Sequence, residues 1–426
     1  MTAMVKTAAT TMTRYLMTAK TSRIRQWEEN CPVLKDSKFL MSYQLYEDII
    51  GEGSFGTVIR AKCRKNQKTR AIKAIRRIEK VNMLTIELEL LSELGGHFNI
   101  VKLYDFYHLN GSVALVLEYF PHCTATELLY HSKTDLEFAL LYFRNLLTAV
   151  AYLHHNGYVH RDIKLSNFLY SHQTKSFRLV DFGLATIDRS KNEISRDISV
   201  AAMKREDACV TCSGMRSPCM FCKSKTKRDS YQIVGTPGVR APELLFGVGL
   251  CNPSIDIFSC GIVLLSLVCV KHPFFMPKDE TENIYDLAFL LGSETLEKMG
   301  ESEGLRVTIS EKLPPADYYN LMESIRYGFP RTRPKTLPKC ESCRRRSWNN
   351  PTSYCFCREN YGTKKYSTPG DTNTNEFEIL YVDLLYQALE PDRKKRYNAD
   401  QLLSIIEAFD LRHKHVPKPL TNRDED

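Results

Sequence analysis

The sequence predicts an α+β fold of two lobes, a β-rich small lobe followed by an α-helical large lobe that carries two Cys-bearing inserts. Three observations predict it. Short β-like apolar runs dominate residues 43–120. Helical apolar periodicity takes over from Leu136 onward. Two polar, cysteine-bearing stretches, roughly residues 188–233 and 329–375, then break that periodicity. The expected organisation is an N-terminal tail over 1–42 and a small lobe with its hinge over 43–120. The large lobe runs over 121–411, and a polar tail over 412–426.

Each element follows from its own pattern. The first residues, up to Gln26, contain no acid and are rich in Thr, Ala and Met, so a flexible tail is expected there. The same acid-free, basic start also fits a mitochondrial transit peptide. Residues 45–50, 57–61, 70–75 and 114–119 read as strands, and 84–94 as the one helix among them. Residues 138–154, 255–270, 377–389 and 399–409 repeat apolar side chains at helical spacing. No internal repeat is evident.

The composition bounds the class. In 426 residues, 43% are hydrophobic and 26% charged, which excludes a wholly disordered, collagen-like or coiled-coil chain. No uninterrupted apolar run reaches the roughly 18 to 20 residues that cross a bilayer, so no membrane partner is expected. The longest run, residues 258–270, reads as a buried core helix. A net charge of +9 suits acidic protein substrates, nucleotides or nucleic acid without choosing among them. Eight of the 14 cysteines fall into two compact groups. With no secretory signal pattern at the start, clustered thiols point to metal rather than disulfides.

The first chemical signal is Ile50-Gly51-Glu52-Gly53-Ser54-Phe55-Gly56-Thr57-Val58. Three glycines at this spacing are weak alone. Here they lie between two strand-like runs, which disfavours a dinucleotide fingerprint that opens a helix. A hairpin flap over phosphates is favoured, because glycine lets the backbone approach phosphate oxygens without a Cβ clash. Further on, Ala71-Ile72-Lys73-Ala74 sets a lysine mid-strand among apolar neighbours, where it needs an anion. Glu87 and Glu89 are the carboxylate candidates.

The second signal decides the class. His160-Arg161-Asp162-Ile163-Lys164-Leu165-Ser166-Asn167-Phe168-Leu169 is followed by Val180-Asp181-Phe182-Gly183. Then comes Gly235-Thr236-Pro237-Gly238-Val239-Arg240-Ala241-Pro242-Glu243. With these residues in order the sequence resembles the eukaryotic protein kinase family. Five signatures in register exclude coincidence.

The resemblance implies the following roles, which match what phosphoryl transfer requires. Asp162 orients or accepts the substrate hydroxyl proton, and Lys164 neutralises charge on the transferring phosphoryl group. Asn167 and Asp181 hold magnesium, and Lys73, paired with Glu87, grips the phosphates of ATP beneath the glycine flap. Val58, Ala71 and Leu169 sandwich adenine. Leu117 is the gatekeeper before hinge residues Glu118, Tyr119 and Phe120. Glu243 and Arg396 form a buried ion pair. Lys164, and Gly235-Thr236 before Ala241-Pro242-Glu243, resemble the serine/threonine branch. Thr236 and Arg240 are the substrate-side residues. An exposed Arg240 is expected to read a carboxylate or phosphate after the phosphoacceptor.

The inserts narrow the family. Cys209-Val210-Thr211-Cys212 and Cys219-Met220-Phe221-Cys222 place four thiolates at zinc-binding spacing. Cys340, Cys343, Cys355 and Cys357 form a looser second group, with zinc or free thiols as the alternatives. A cysteine-bearing insert in the activation segment, with Asn167-Phe168-Leu169-Tyr170 after the catalytic loop, resembles the cell division cycle 7 type of serine/threonine kinase. Short inserts, and Leu165 where the family has proline, depart from that pattern. The resemblance implies ATP and magnesium, and structural zinc. It implies replication-protein substrates such as the replicative helicase, with acidic or phosphorylated flanks, an activating regulatory subunit and a nuclear location, the cytoplasm being the alternative. Ser224, Thr226 and Ser230 are candidate phosphosites. Another cell-cycle or signalling kinase branch, and a zinc-stabilised pseudokinase scaffold, are the competing readings. Direct nucleic-acid binding is not expected, although Arg344–Arg346 and Trp348 hint at it.

Overall fold

The computed structural model describes residues 31–53, 56–75, 81–190, 234–248, 251–327 and 375–413. The chain divides into two units. The first runs to His122 and takes back Arg178–Gly183, and the second holds Cys123–Phe177 and the chain from Leu184 onward.

The first unit is an antiparallel sheet with order β1-β2-β3-β5-β4. Its strands are β1 (Tyr43–Gly53), β2 (Gly56–Cys63), β3 (Thr69–Ile75), β4 (Leu103–Leu109) and β5 (Ser112–Glu118). Strand β2 alternates half-buried and buried residues, the pattern of a strand with one face on the core. The neighbouring β3 and β5 are buried along nearly their whole length, as central strands are. Sequence reading missed β4 because Tyr104, Asp105 and Phe106 are all exposed on this edge strand, which erases the alternation. Arg178–Gly183 belongs here because Leu179 exchanges backbone hydrogen bonds with Asn99 and Val101.

Residues 31–42, expected within the N-terminal tail preceding the small lobe, are built into this unit. A 3₁₀ turn (Pro32–Lys35) and helix α1 (Ser37–Ser42) lay Cys31, Val33, Leu34 and Phe39 against Ile59, Ala61, Ile72, Ala74, Ala114 and Val116. The driving force is apolar burial, about 1.5–3 kcal/mol for a fully buried large side chain such as Phe39. The Val33 N–H also donates to Ser112 Oγ at 3.0 Å. Helix α2 (Val81–Leu94) completes the unit, with Glu87, Leu90, Leu91 and Leu94 buried on one face.

The second unit is helical. Its elements include α3 (Ala125–Thr134), α4 (Leu136–His155), α5 (Pro242–Leu245), α6 (Ser254–Val268), α7 (Glu280–Leu291) and α8 (Ser293–Ser302). Helices α9 (Tyr318–Tyr327), α10 (Glu376–Ala388) and α11 (Ala399–His413) close it. Short strands β6 (Tyr158–Val159) and β9 (Thr186–Ile187) pair with each other, and β7 (Phe168–Ser171) pairs with β8 (Ser176–Leu179). Helix α6 is apolar on every side and buried along its length, as a central core helix is. Its Gly261 is required by packing, because a Cβ there would stand 2.7 Å from Leu389 Cδ2 and 3.1 Å from Ala388 Cβ. Helix α4 has the length and apolar content of a membrane span, but 67% of that stretch is buried inside the protein. It is a core helix.

Candidate functional site

In the first unit the site begins at the β1–β2 hairpin. Gly53 pairs with Gly56, while Ser54 and Phe55 at its tip lie outside the described residues. Glycine is required at position 56, where a Cβ would approach the Ala74 carbonyl oxygen to 2.4 Å. Ile50 and Glu52 are exposed and Gly51 is half-buried. On β3, Lys73 lies in register between Val58 of β2 and Leu115 of β5, and Ala71 pairs with Leu117. Ala71 and Leu117 are buried and Val58 is half-buried.

Lys73 Nζ donates to Glu87 Oε1 at 2.7 Å and to Asp181 Oδ1 at 2.8 Å. Glu89, the other candidate, is exposed. Burial pulls the Lys73 ammonium down, but the charges of Glu87 and Asp181, and its hydrogen bonds to both, outweigh it and hold the group well above the ordinary lysine range. Asp181 sits at φ 64°, a left-handed conformation that non-glycine residues enter at a cost. Past β5, Glu118 accepts from Arg178 Nε at 2.7 Å. The Arg178 guanidinium lies 5.3 Å from the Phe120 ring centroid. Tyr119 and Phe120 are half-buried.

In the second unit Asp162 is a fully hydrogen-bonded carboxylate. Thr236 donates to its Oδ1 through both the backbone N–H (2.9 Å) and the hydroxyl (2.7 Å). Lys164 Nζ (2.7 Å) and Asn167 Nδ2 (3.2 Å) donate to its Oδ2. Lys164 Nζ also donates to Thr236 Oγ1 at 2.7 Å. Because Asn167 spends its Nδ2 on Asp162, its amide oxygen is the atom suited to a hard metal ion. Leu169 is half-buried on β7.

Two residues hold this loop, Asp256, which the sequence reading did not single out, and Gly235, which it read only as part of a motif. Asp256, at the start of α6, accepts from the backbone N–H of His160 (2.7 Å) and of Arg161 (2.8 Å), and lies 2.9 Å from His154 Nε2. Burial pushes the Asp256 carboxyl up. The hydrogen bond and charge of His154, and the charge and backbone N–H of His160, outweigh that and hold it below the usual carboxylate range. A carboxylate inside an apolar helical run was the signal that could have found it. Gly235, at φ 89°, fits only as glycine, since a Cβ would meet the Arg161 carbonyl oxygen at 2.6 Å.

Arg240 differs from expectation. It is 8% exposed, not open to solvent. Its Nε and Nη2 donate to the Gly235 carbonyl at 2.9 and 2.6 Å, and Nη1 reaches Glu280 Oε1 at 3.5 Å. Glu243 and Arg396 pair at 2.6 and 3.1 Å with side chains 1% and 0% exposed.

Cys209, Cys212, Cys219, Cys222, Cys340, Cys343, Cys355 and Cys357 lie outside the described residues. Among the described residues no group of three or more His, Cys, Asp and Glu side chains is arranged to hold a metal.

Residues 44–213 match the protein kinase domain. The chain is similar to probable cell division control protein 7 homologs 1 and 2 of Encephalitozoon cuniculi. Each is 29% identical over 286 residues, covering 64% of this chain and 77% of the relative. It is also similar to the cell cycle serine/threonine-protein kinase hsk1 of Schizosaccharomyces pombe, 28% identical over 286 residues, covering 63% of this chain and 53% of the relative. The calcium/calmodulin-dependent protein kinase type IV of Mus musculus is 30% identical over 238 residues, covering 54% of this chain and 41% of the relative.

Proposed function

We propose that the chain, whose residues 44–213 match the protein kinase domain and which is similar to the cell division control protein 7 homologs, is a serine/threonine protein kinase that transfers the γ-phosphate of ATP to Ser or Thr at acidic-directed sites of replication proteins. The observation that carries the chemistry is the grip on Thr236: Asp162 and Lys164 together hold one threonine hydroxyl at 2.7 Å each. That is the contact pattern the reaction asks of a substrate hydroxyl.

In the proposed reaction the Asp162 carboxylate orients the substrate hydroxyl and takes its proton. The hydroxyl oxygen forms a bond to the γ-phosphorus, the bond to the β–γ bridging oxygen breaks, and that electron pair leaves with ADP. Lys164 offsets charge on the transferring group, and Lys73, held by Glu87, positions the α- and β-phosphates. The Asn167 amide oxygen and the Asp181 carboxylate are hard oxygen donors of the kind magnesium takes. Bound magnesium would neutralise charge on the phosphate oxygens. By the resemblance, Val58, Ala71 and Leu117 of the first unit would face adenine, with Glu118–Phe120 as its hinge, and Leu169 is the residue that the resemblance adds from the second unit.

The finer parts of the reading rest on the resemblance. They are a helicase substrate, an activating regulatory subunit, a nuclear location, and structural zinc on the Cys209–Cys222 pairs. Acidic direction rests on Arg240, whose Nη1 faces a carboxylate already. Phosphate incorporation from labelled ATP into Ser/Thr peptides, compared for the wild type and Asp162→Asn, tests the core of the proposal. The variant is expected below a tenth of the wild-type rate, and equal rates would overturn the assignment.

A further inference from the structure

The pairs that Arg240 and Arg396 make are unlike, and the difference has a consequence for specificity. Arg396 and Glu243 meet at 2.6 and 3.1 Å with both side chains shut away from water, the geometry of a permanent structural pair. Arg240 is anchored instead by a backbone oxygen. Its Nε and Nη2 both go to the Gly235 carbonyl, which sets the plane of the guanidinium without any carboxylate. Only Nη1 turns to an acid, Glu280 Oε1, through a single long contact of 3.5 Å. The Glu280 side chain is 56% exposed, so it keeps much of its hydration and gains little from the pair. The neighbouring acids are engaged elsewhere: Asp279 caps α7 by accepting from Glu282 N, and Glu282 accepts from Lys278 N. Glu280 is thus the acid of this turn that faces Arg240. Four residues before Arg240, Thr236 donates to Asp162, so the arginine belongs to the short segment that touches the aspartate proposed as catalytic.

We propose that Glu280 is an internal competitor for Arg240, a tethered carboxylate that an acidic substrate residue must displace, and that it thereby sets the strength of acidic preference. This rests on the reading of Arg240 as the group that recognises the residue after the phosphoacceptor. Exchange of one carboxylate for another costs little at a long, half-open contact, whereas a neutral substrate residue leaves Glu280 in place. The charge on residue 280 therefore tunes discrimination without altering the anchored arginine.

The test uses the full chain in the complex in which it purifies from dividing cells, with two peptides that differ only in Asp or Ala after the phosphoacceptor. The ratio of their kcat/KM values is read for the wild type, Glu280→Gln and Glu280→Lys. Glu280→Gln should raise the Asp/Ala ratio about 1.4- to 5-fold, the range that one exposed ion pair commands. Glu280→Lys should raise it further, and both gains should shrink as added salt shortens the screening length. A wild-type preference for Asp that neither variant changes would overturn the competitor role while leaving the Arg240 reading intact. No wild-type preference at all would overturn both. Equal loss on the two peptides would make Glu280 a structural support for the segment and would also overturn the proposal.

Discussion

Lys73 Nζ lies 2.7 Å from Glu87 Oε1, with side chains 7% and 3% exposed. The pair links the central strand β3 to helix α2 inside the first unit. A charge buried this far from water persists only because a partner compensates it. Lys73→Met removes the compensation for Glu87 and the cation proposed for phosphate. Turnover is expected to fall more than tenfold, measured as phosphate incorporation. A loss of less than ~1.4 kcal/mol in barrier would contradict the role.

Asp181→Asn separates charge from backbone conformation. Asp181 occupies φ 64°, and asparagine tolerates this left-handed region as well as aspartate does. The variant should therefore keep its fold and bind ATP while losing turnover, since it lacks the charge proposed for magnesium. Circular dichroism and nucleotide binding, read beside the rate, check this. Retention of more than about a tenth of the wild-type rate counts against the assignment.

Arg396→Ala strands Glu243 in the interior of the second unit. Removing one partner of a buried pair costs about 3–5 kcal/mol. Urea unfolding should show a loss in that range, with Glu243→Gln costing less because the amide still accepts a hydrogen bond. A loss under about 1 kcal/mol would mean that water reaches the pair.

Asp256 predicts an acid-side effect with a definite sign. Its folded pKa lies below the ordinary value of about 3.9. Its contribution to stability is therefore full above the unfolded pKa and is lost as pH falls through the folded one. The stability gap between wild type and Asp256→Asn should be widest near neutral pH and close below about pH 4. Denaturation series at pH 7 and pH 3 measure it. A gap that is constant with pH would show that the hydrogen-bond shape, not the charge, holds the catalytic loop.

Zinc on the first cysteine group is checked by elemental analysis of folded, chelator-free protein. At least one ion per chain is expected, and Cys219→Ser should release it. Protein that folds and turns over with no bound zinc would remove the metal from these cysteines.

Much of the site was legible because its residues are tied to local sequence patterns. The glycine hairpin, Lys73 on an apolar strand, and the runs around Asp162 and Asp181 are each weak or ambiguous alone, and it is their order along one chain that is specific. The strands β1, β2, β3 and β5 were legible because their apolar runs are distinct. Strand β4 and helices α3, α7 and α8 were not, since their exposed residues dilute the periodicity, nor was α9, whose buried stretch includes the polar Asn320, Glu323 and Ser324.

The sequence by itself determined the class of chemistry and the order of the two lobes. Those properties depend on residue type and separation along the chain. The residue types alone left Glu87 and Glu89 open, the resemblance implied Glu87, and the tertiary structure brings Glu87 to Lys73 because it lies on the buried face of α2. Only the tertiary structure decided that residues 31–42 cover the small-unit sheet and that Asp256 supports the catalytic loop. Arg240 shows the limit most clearly. Its place in the motif predicted an exposed arginine, yet it is 8% exposed, anchored on the Gly235 carbonyl and facing Glu280, a partnership between groups up to 40 residues apart that no local pattern encodes.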